Sequence, residues 1–234
     1  MEEFLNKRKS RLVAVSLLII LSVVVIFAGS RLYSQYREQV IRTEESQLLT
    51  MAGIVGNNLN SYMEQQLEEI DLFYSQEGMP ENVWAESGGI NARTAYFLKN
   101  NAGVYNWITV TEPDGTKFRY EPGKKTFRES ADGEVKAVDP QDGNHPAEIT
   151  GKEISDQTGW YELYIEKNVP VGSEVYMLTF AMDLGALYEK IVAPVKIGEA
   201  GYSSVKDQNM NIIMHHVKNQ IGLEAVDGRI ERYP

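Results

Sequence analysis

Residues 160–184 read WYELYIEKNVPVGSEVYMLTFAMDL. Two β runs stand in this stretch, Trp160 to Ile165 and Glu174 to Met182. The turn-forming NVPVG of residues 168–172 splits them. Side chains alternate between two faces of a strand. In the second run Tyr176, Leu178, Phe180 and Met182 fall on one face, and Met177, Thr179, Ala181 and Asp183 on the other. A short helix is expected from Leu184 to Val192. Asp183 immediately precedes it, at a position where a carboxylate caps a helix.

Working outward, Trp107 to Thr111 (WITVT) alternates as a strand, Glu112 to Gly115 (EPDG) reads as a turn, and Thr116 to Tyr120 as the return strand. Asp-Gly between two such runs predicts a hairpin. The same device recurs at Tyr202 to Lys206 and Ile212 to His215, around a turn at Asp207 to Asn211. Ile90 to Asn100 reads as a short helix. Residues 121–157 are polar and read as loop. The order of elements predicts an α+β fold, one antiparallel sheet with helices on its faces.

Upstream, no proline occurs from Ser30 to Tyr74. Leu48, Ala52, Val55, Leu59, Met63, Leu67, Ile70 and Tyr74 recur at helical steps, with Gly78 and Pro80 closing the segment. This predicts a stalk helix over residues 30–76, whose first half pairs with a second copy in a homodimer and whose second half packs on the sheet. Before it, residues 12–29 (LVAVSLLIILSVVVIFAG) carry no charge. As helix they span ~27 Å, close to a hydrocarbon core. Lys7, Arg8, Lys9 and Arg11 precede them, which places residues 1–11 in the cytoplasm and the bulk of the chain outside. The small residues Ala28, Gly29 and Ser30 leave signal-peptide cleavage as the alternative to a single-pass anchor.

Composition excludes several classes. The 234 residues are 43% apolar and 24% charged, as in globular chains. Cysteine is absent, so disulfides, cysteine–zinc sites, iron–sulfur clusters and thiol nucleophiles are impossible. Net charge is −10, with no basic stripe beyond the N-terminus, which argues against nucleic acid as a partner. Neighbouring His215 and His216 point to opposite faces of a strand and do not share a metal, and His145 stands alone. Asp139 to Asn144 lacks calcium-loop spacing. No nucleophile elbow, phosphate loop or dinucleotide fingerprint occurs. The residues present therefore predict no enzyme, no metal and no cofactor.

The layout resembles the double Cache, PAS-like extracytoplasmic sensor domain of bacterial transmembrane receptors. Residues 160–184 look like the closing strands of a membrane-distal module, here residues 77–193. Residues 194–215 (PVKIGEAGYSSVKDQNMNIIMH) look like the opening of a membrane-proximal one. Gly198, Gly201, Tyr202, Asp207, Ile212, Ile213 and His215 match the family pattern there, and His216 replaces its usual proline. Gln220 to Gly222 look like the continuation. Residues 194–234 are too few to close a second module of ~100 residues. The expectation is therefore the N-terminal part of a longer receptor, or a truncated product.

The resemblance implies a small polar ligand, carboxylate-bearing or amino-acid-like. In amino-acid-binding members an aspartate matching Asp183 holds the ligand's amino group. Asp183 is thus open to two readings, ligand contact and helix cap. The family's Arg-x-Trp-Tyr carboxylate grip is missing from residues 115–160. Trp107, Tyr120 and Trp160, with Tyr161 and Tyr164, are candidates for a pocket or for the core. Arg119 and Arg128 suit either a ligand carboxylate or surface ion pairs. The expected contacts are Asp183, Trp107, Tyr120, Trp160 and Arg128. The expected function is the sensing input of a receptor whose output is a histidine kinase, a diguanylate cyclase or a chemotaxis module. A membrane-anchored structural or assembly protein is the alternative.

Overall fold

The computed structural model describes residues 2–75, 89–124, 127–128, 145–196 and 201–224, with backbone only for residues 2–15, 127 and 128. The chain divides into two units, Met1–Gly53 and Ile54–Pro234. Helix α1 (Glu2–Tyr74) contributes to both. Gly78 and Pro80, the expected stop, lie outside the described residues.

In the first unit, Leu17 to Phe27 present large apolar side chains on every side of α1. Mean hydropathy reaches 2.1 there, and this is the one described helix long and apolar enough to cross a membrane. Ser22 and Ser30 do not break the apolar run. Their hydroxyls donate to the Leu18 and Phe27 carbonyls at 2.8 and 2.9 Å, so each polar group is satisfied by its own helix.

In the second unit, the last five turns of α1 and helix α2 (Gly89–Asn100) cover one face of a six-stranded antiparallel sheet. Its strands are β1 (Tyr105–Thr111), β2 (Lys117–Tyr120), β3 (Phe127–Arg128), β4 (Glu148–Ile154), β5 (Tyr161–Val171) and β6 (Glu174–Asp183), in the order β3-β2-β1-β6-β5-β4. The β1–β2 hairpin turns as expected. The Asp114 carboxylate accepts the Thr116 N–H at 2.8 Å, and Gly115 takes φ +85°, a conformation that costs other residues a Cβ clash. Ile108, Val110, Ile165, Leu178, Phe180 and Met182 form the buried layer against Ile70, Tyr74, Phe97 and Leu98 of the helices. Polar groups caught in this layer are paired. The Tyr74 hydroxyl meets Thr94 Oγ1 at 3.2 Å, and that of Tyr105 meets Gln66 Oε1 at 3.1 Å.

Two strand expectations need correction. Residues 168–172 do not split the β run as a whole: β5 continues through Pro170 to Val171 and turns only at Gly172, φ +64°. Val171 and Glu174 close the hairpin, so Pro170 falls in a pair without ladder bonds. Its missing N–H faces the outer edge, beyond the reach of β4, whose pairing ends at Glu148↔Glu166. The second concerns residues 121–157, read as loop: they hold the short β3 and, longer, β4. β4 is an edge strand, exposed along most of its length and rich in charge, and so lacks the apolar alternation of a half-buried strand.

After β6 the chain makes one α-helical turn, α3 (Leu184–Leu187), and a π-helical turn, Tyr188–Val192. The hairpin β7 (Val205–Lys206) and β8 (Ile212–Met214) follows, shorter than expected. Asp207 shapes its turn by accepting the N–H groups of Asn209 and Asn211, both at 2.9 Å. Met214 and Ile221 join Trp160, Leu184, Leu187, Tyr188 and Val192 in a second core. Residues 201–224 are thus docked on α3. Gly185 is required at that contact, because a Cβ there would stand 2.7 Å from the Trp160 ring. Gly185→Ala is expected to destabilise the fold by about 1–3 kcal/mol through overpacking, measured by urea unfolding.

Candidate functional site

The face of the sheet turned away from α1 and α2 carries the polar row of each strand. It presents Thr109 and Thr111 of β1, Arg119 of β2, Glu162, Tyr164, Glu166 and Asn168 of β5, and Met177, Thr179, Ala181 and Asp183 of β6. The cross-strand registers Thr109↔Arg119, Thr109↔Thr179, Tyr164↔Ala181 and Glu162↔Asp183 set this arrangement. A register shift between Tyr105 and Trp107 sets two residues of β1 against one of β6. Such a bulge re-aims a side chain. Here both Asn106 and Trp107 reach Glu162, with Asn106 Nδ2 donating to Oε1 at 2.7 Å and Trp107 Nε1 to Oε2 at 3.1 Å.

Glu162 is 6% exposed and is held by these two neutral donors. Directly opposite it across β5–β6 stands Asp183. Asp183 caps α3, accepting the Gly185 N–H at 2.8 Å. Burial raises its pKa, the Gly185 and Ala186 amides oppose that rise, and the Glu162 charge adds to it. Two carboxylates thus stand side by side, and the Lys218 charge offsets part of the rise at Asp183.

Aromatic rings line the approach. Trp107 and Tyr164 lie 5.6 Å apart, and the Arg119 guanidinium sits 4.2 Å above the Trp107 ring. Arg119 Nε is also 3.2 Å from Glu121. The Tyr164 hydroxyl donates to Glu153 at 3.0 Å; burial, reinforced by that carboxylate, pushes its pKa up to about 12. Thr111 on the same face is buried, and its hydroxyl makes no hydrogen bond among the described residues. Farther along, Glu166, Asn168 and Met177 line a half-open depression of about 310 Å³ together with His145, Pro146 and Glu148.

The structure brings together only part of the expected set. Asp183 and Trp107 share this face, both beside Glu162. Tyr120 does not: it pairs in register with Ile108 on the helix side, where its hydroxyl meets Asn91 Oδ1 at 2.6 Å. Burial pushes its pKa up to about 12. Trp160 is also withdrawn, packed 5.2 Å from the Tyr188 ring in the second core. Both aromatics obey the ordinary preference for the core. Arg128 is paired through its backbone with Phe118, and its side chain lies outside the described residues. Glu162 and Asn106 were missed. Alternation along Glu162, Tyr164, Glu166 and Asn168 marked a polar row, but nothing local set Glu162 against Asp183. Among the described residues no group of three or more His, Cys, Asp or Glu side chains is placed to hold a metal.

No protein-family model matches the chain, and no curated protein matches it by sequence. Solved structures do match. The ligand-binding domain of the Pseudomonas aeruginosa amino acid chemoreceptor PctC, in complex with GABA, aligns at TM-score 0.55 and 16% identity, covering 77% of this chain and 79% of that one. A domain of a sensory box/GGDEF family protein from Vibrio parahaemolyticus aligns at TM-score 0.53 and 14% identity, covering 77% and 74%. The ligand-binding domain of Mlp24 with asparagine gives 0.51 and 18%, covering 80% and 76%. At these identities the likeness is one of fold. The shared fold is a long N-terminal helix followed by an antiparallel sheet with helices. The PctC and Mlp24 structures are ligand-binding domains.

Proposed function

We propose that this chain is the sensing input of a bacterial transmembrane receptor, and that its ligand is a small amine-bearing, amino-acid-like metabolite. The observation that carries this reading is the Glu162–Asp183 pair, set side by side in register on the sheet face that the helices leave free. A ligand ammonium between the two carboxylates relieves their repulsion and the burial of Asp183. Trp107 and Tyr164 offer aromatic faces to the same cation. Arg119, on the same face, supplies the opposite charge for a ligand carboxylate. The cap and the ligand contact are compatible, since a carboxylate has more acceptor sites than one amide uses.

The rest of the reading follows the layout. Residues 12–29 anchor the chain with its N-terminus in the cytoplasm, residues 30–76 form a stalk that pairs with a second copy, and residues 194–234 open a second module. The output is a kinase, a cyclase or a chemotaxis module. A reporter fused after Gly123 is expected to be active only outside the cytoplasm; activity inside would reverse the orientation.

The ligand reading is tested by calorimetry on the detergent-solubilised chain with a panel of amino acids and simple amines. Asp183→Asn and Glu162→Gln are each expected to weaken binding ~10–100-fold, the value of a charge-assisted hydrogen bond of ~1.5–3 kcal/mol. Asp183→Ala is also expected to cost about 0.5–2 kcal/mol of stability through the cap. Affinity should fall on acidification. The raised pKa of Asp183 means that its charge is lost as pH falls through a value above 3.8. A hit indifferent to both substitutions keeps the sensor and discards the site. A panel with no hit favours a structural or assembly role.

A further inference from the structure

The ligand site makes no use of His215, which follows β8 and is 0% exposed. Its Nδ1 lies 3.1 Å from the Val217 amide nitrogen and 3.2 Å from the Val217 carbonyl oxygen, so one local bond is available to it in either neutral tautomer. Its Nε2 is buried and has no hydrogen-bond partner among the described residues. A neutral ring tolerates this. A protonated ring does not, because both nitrogens then carry hydrogen and the Nε2–H is left unpaired in the interior. Among the described residues the titratable side chains in ring contact with it are Tyr202, 4.9 Å away edge-on, and His216, 4.6 Å away. No carboxylate among the described residues bonds to it.

The same segment is docked by contacts that hold it to the sensing unit. Met214 and Ile221 pack against Trp160, Leu184, Leu187 and Tyr188. Asp207 pairs with Lys152 of β4, and Lys218 Nζ donates to the Thr158 carbonyl at 3.0 Å. Helix α3, which receives the segment, starts at the cap Asp183. Charging His215 therefore strains the contact between the segment and the element next to the ligand site.

We infer that residues 201–224 form a proton-sensitive latch on α3, held closed by neutral His215 and released when the ring takes up a proton. Burial lowers the His215 pKa below its ordinary 6.5, Val217 opposes this, and His216 adds to it. For a histidine depressed in this way the latch is fully held above about 6.5 and is lost as pH falls below that value. Asp207 takes no part in that window, because Lys152 and its turn hold its pKa down at about 2.

The test is hydrogen exchange on the full chain in detergent at pH 7.5 and 5.5, with each amide corrected for its intrinsic rate. Protection of residues 203–217 is expected to fall at least tenfold at pH 5.5 relative to β5 and β6. His215→Gln should reduce that difference to less than twofold, and His216→Gln should leave most of it. Equal wild-type protection at both pH values overturns the latch, as does a pH response that survives His215→Gln unchanged. Asp183→Asn checks that the response does not come from the cap; loss of the response in that variant alone also overturns it. Should His215→Gln fail to dock at either pH, the ring is followed directly by NMR. Titration of His215 below 6.5 in the wild-type chain is the expected result, and titration at or above 6.5 refutes the proposal.

Discussion

Phe180→Ala is expected to remove about 3–5 kcal/mol from the stability of the second unit, residues 54–234. Phe180 is fully buried on the helix side of β6. Its ring centroid lies 5.6 Å from Tyr105 of β1, 5.7 Å from Phe97 of α2 and 5.9 Å from Tyr74 of α1. Three elements distant in sequence therefore meet on one ring. Their edge-on and tilted geometries are those that aromatic pairs favour. Truncation leaves a cavity whose walls are held by the sheet ladder on one side and by two helices on the other, so collapse into the space is limited. Urea unfolding at pH 7.5 measures the loss, and Phe180→Leu should cost clearly less. A loss under 1 kcal/mol for the alanine variant would show that the three aromatics do not converge there. Thr179 and Ala181 flank Phe180 on the face proposed to take the ligand, so binding should weaken together with stability.

The second large effect is expected at Asp71. Its carboxylate lies 2.8 Å from the Lys167 ammonium, whose side chain is 4% exposed, and it also accepts the Ala147 N–H at 2.8 Å. Lys167 donates to the His145 carbonyl at 2.7 Å as well. One carboxylate on α1 thus ties β5 and the approach to β4 to the helix. Asp71→Ala takes one counter-charge from the buried Lys167 ammonium and the acceptor from the Ala147 amide. The cost is expected to be about 2–4 kcal/mol, below that of a fully enclosed pair because 33% of the Asp71 side chain is open to solvent. The double variant Asp71→Leu with Lys167→Met should recover most of the loss, since an apolar pair of similar size removes both charges. A double variant no more stable than Asp71→Ala alone would mean that the stranded charge is not the cause.

Local chemistry was legible in the chain before any fold was known. The uncharged run at residues 12–29, the long 3.6-residue periodicity behind it, the Asp114-Gly115 hairpin and the cap at Asp183 each depend on residues within a few positions of one another. Their spacing is a direct readout of backbone geometry. The α+β architecture followed from their order. The faces of the aromatic side chains were not legible in this way. Tyr120 went to the helix side because its partner Ile108 is there, and Trp160 went under α3 because Gly185 leaves room for its ring. β4 escaped notice because an exposed edge strand carries charge where a half-buried strand would alternate. The candidate site depended most on the tertiary structure. Glu162 and Asp183 are 21 positions apart in sequence, and only the β5–β6 register sets one against the other. The bulge in β1 then brings Asn106 and Trp107, more than 50 positions away, onto the same carboxylate. The sequence by itself determined the membrane-length helix, the two long core strands and the hairpin, because their signals are local. The tertiary structure alone decided which side chains share a face, because strand register is set by burying the whole apolar face at once, and no short stretch of chain encodes that sum.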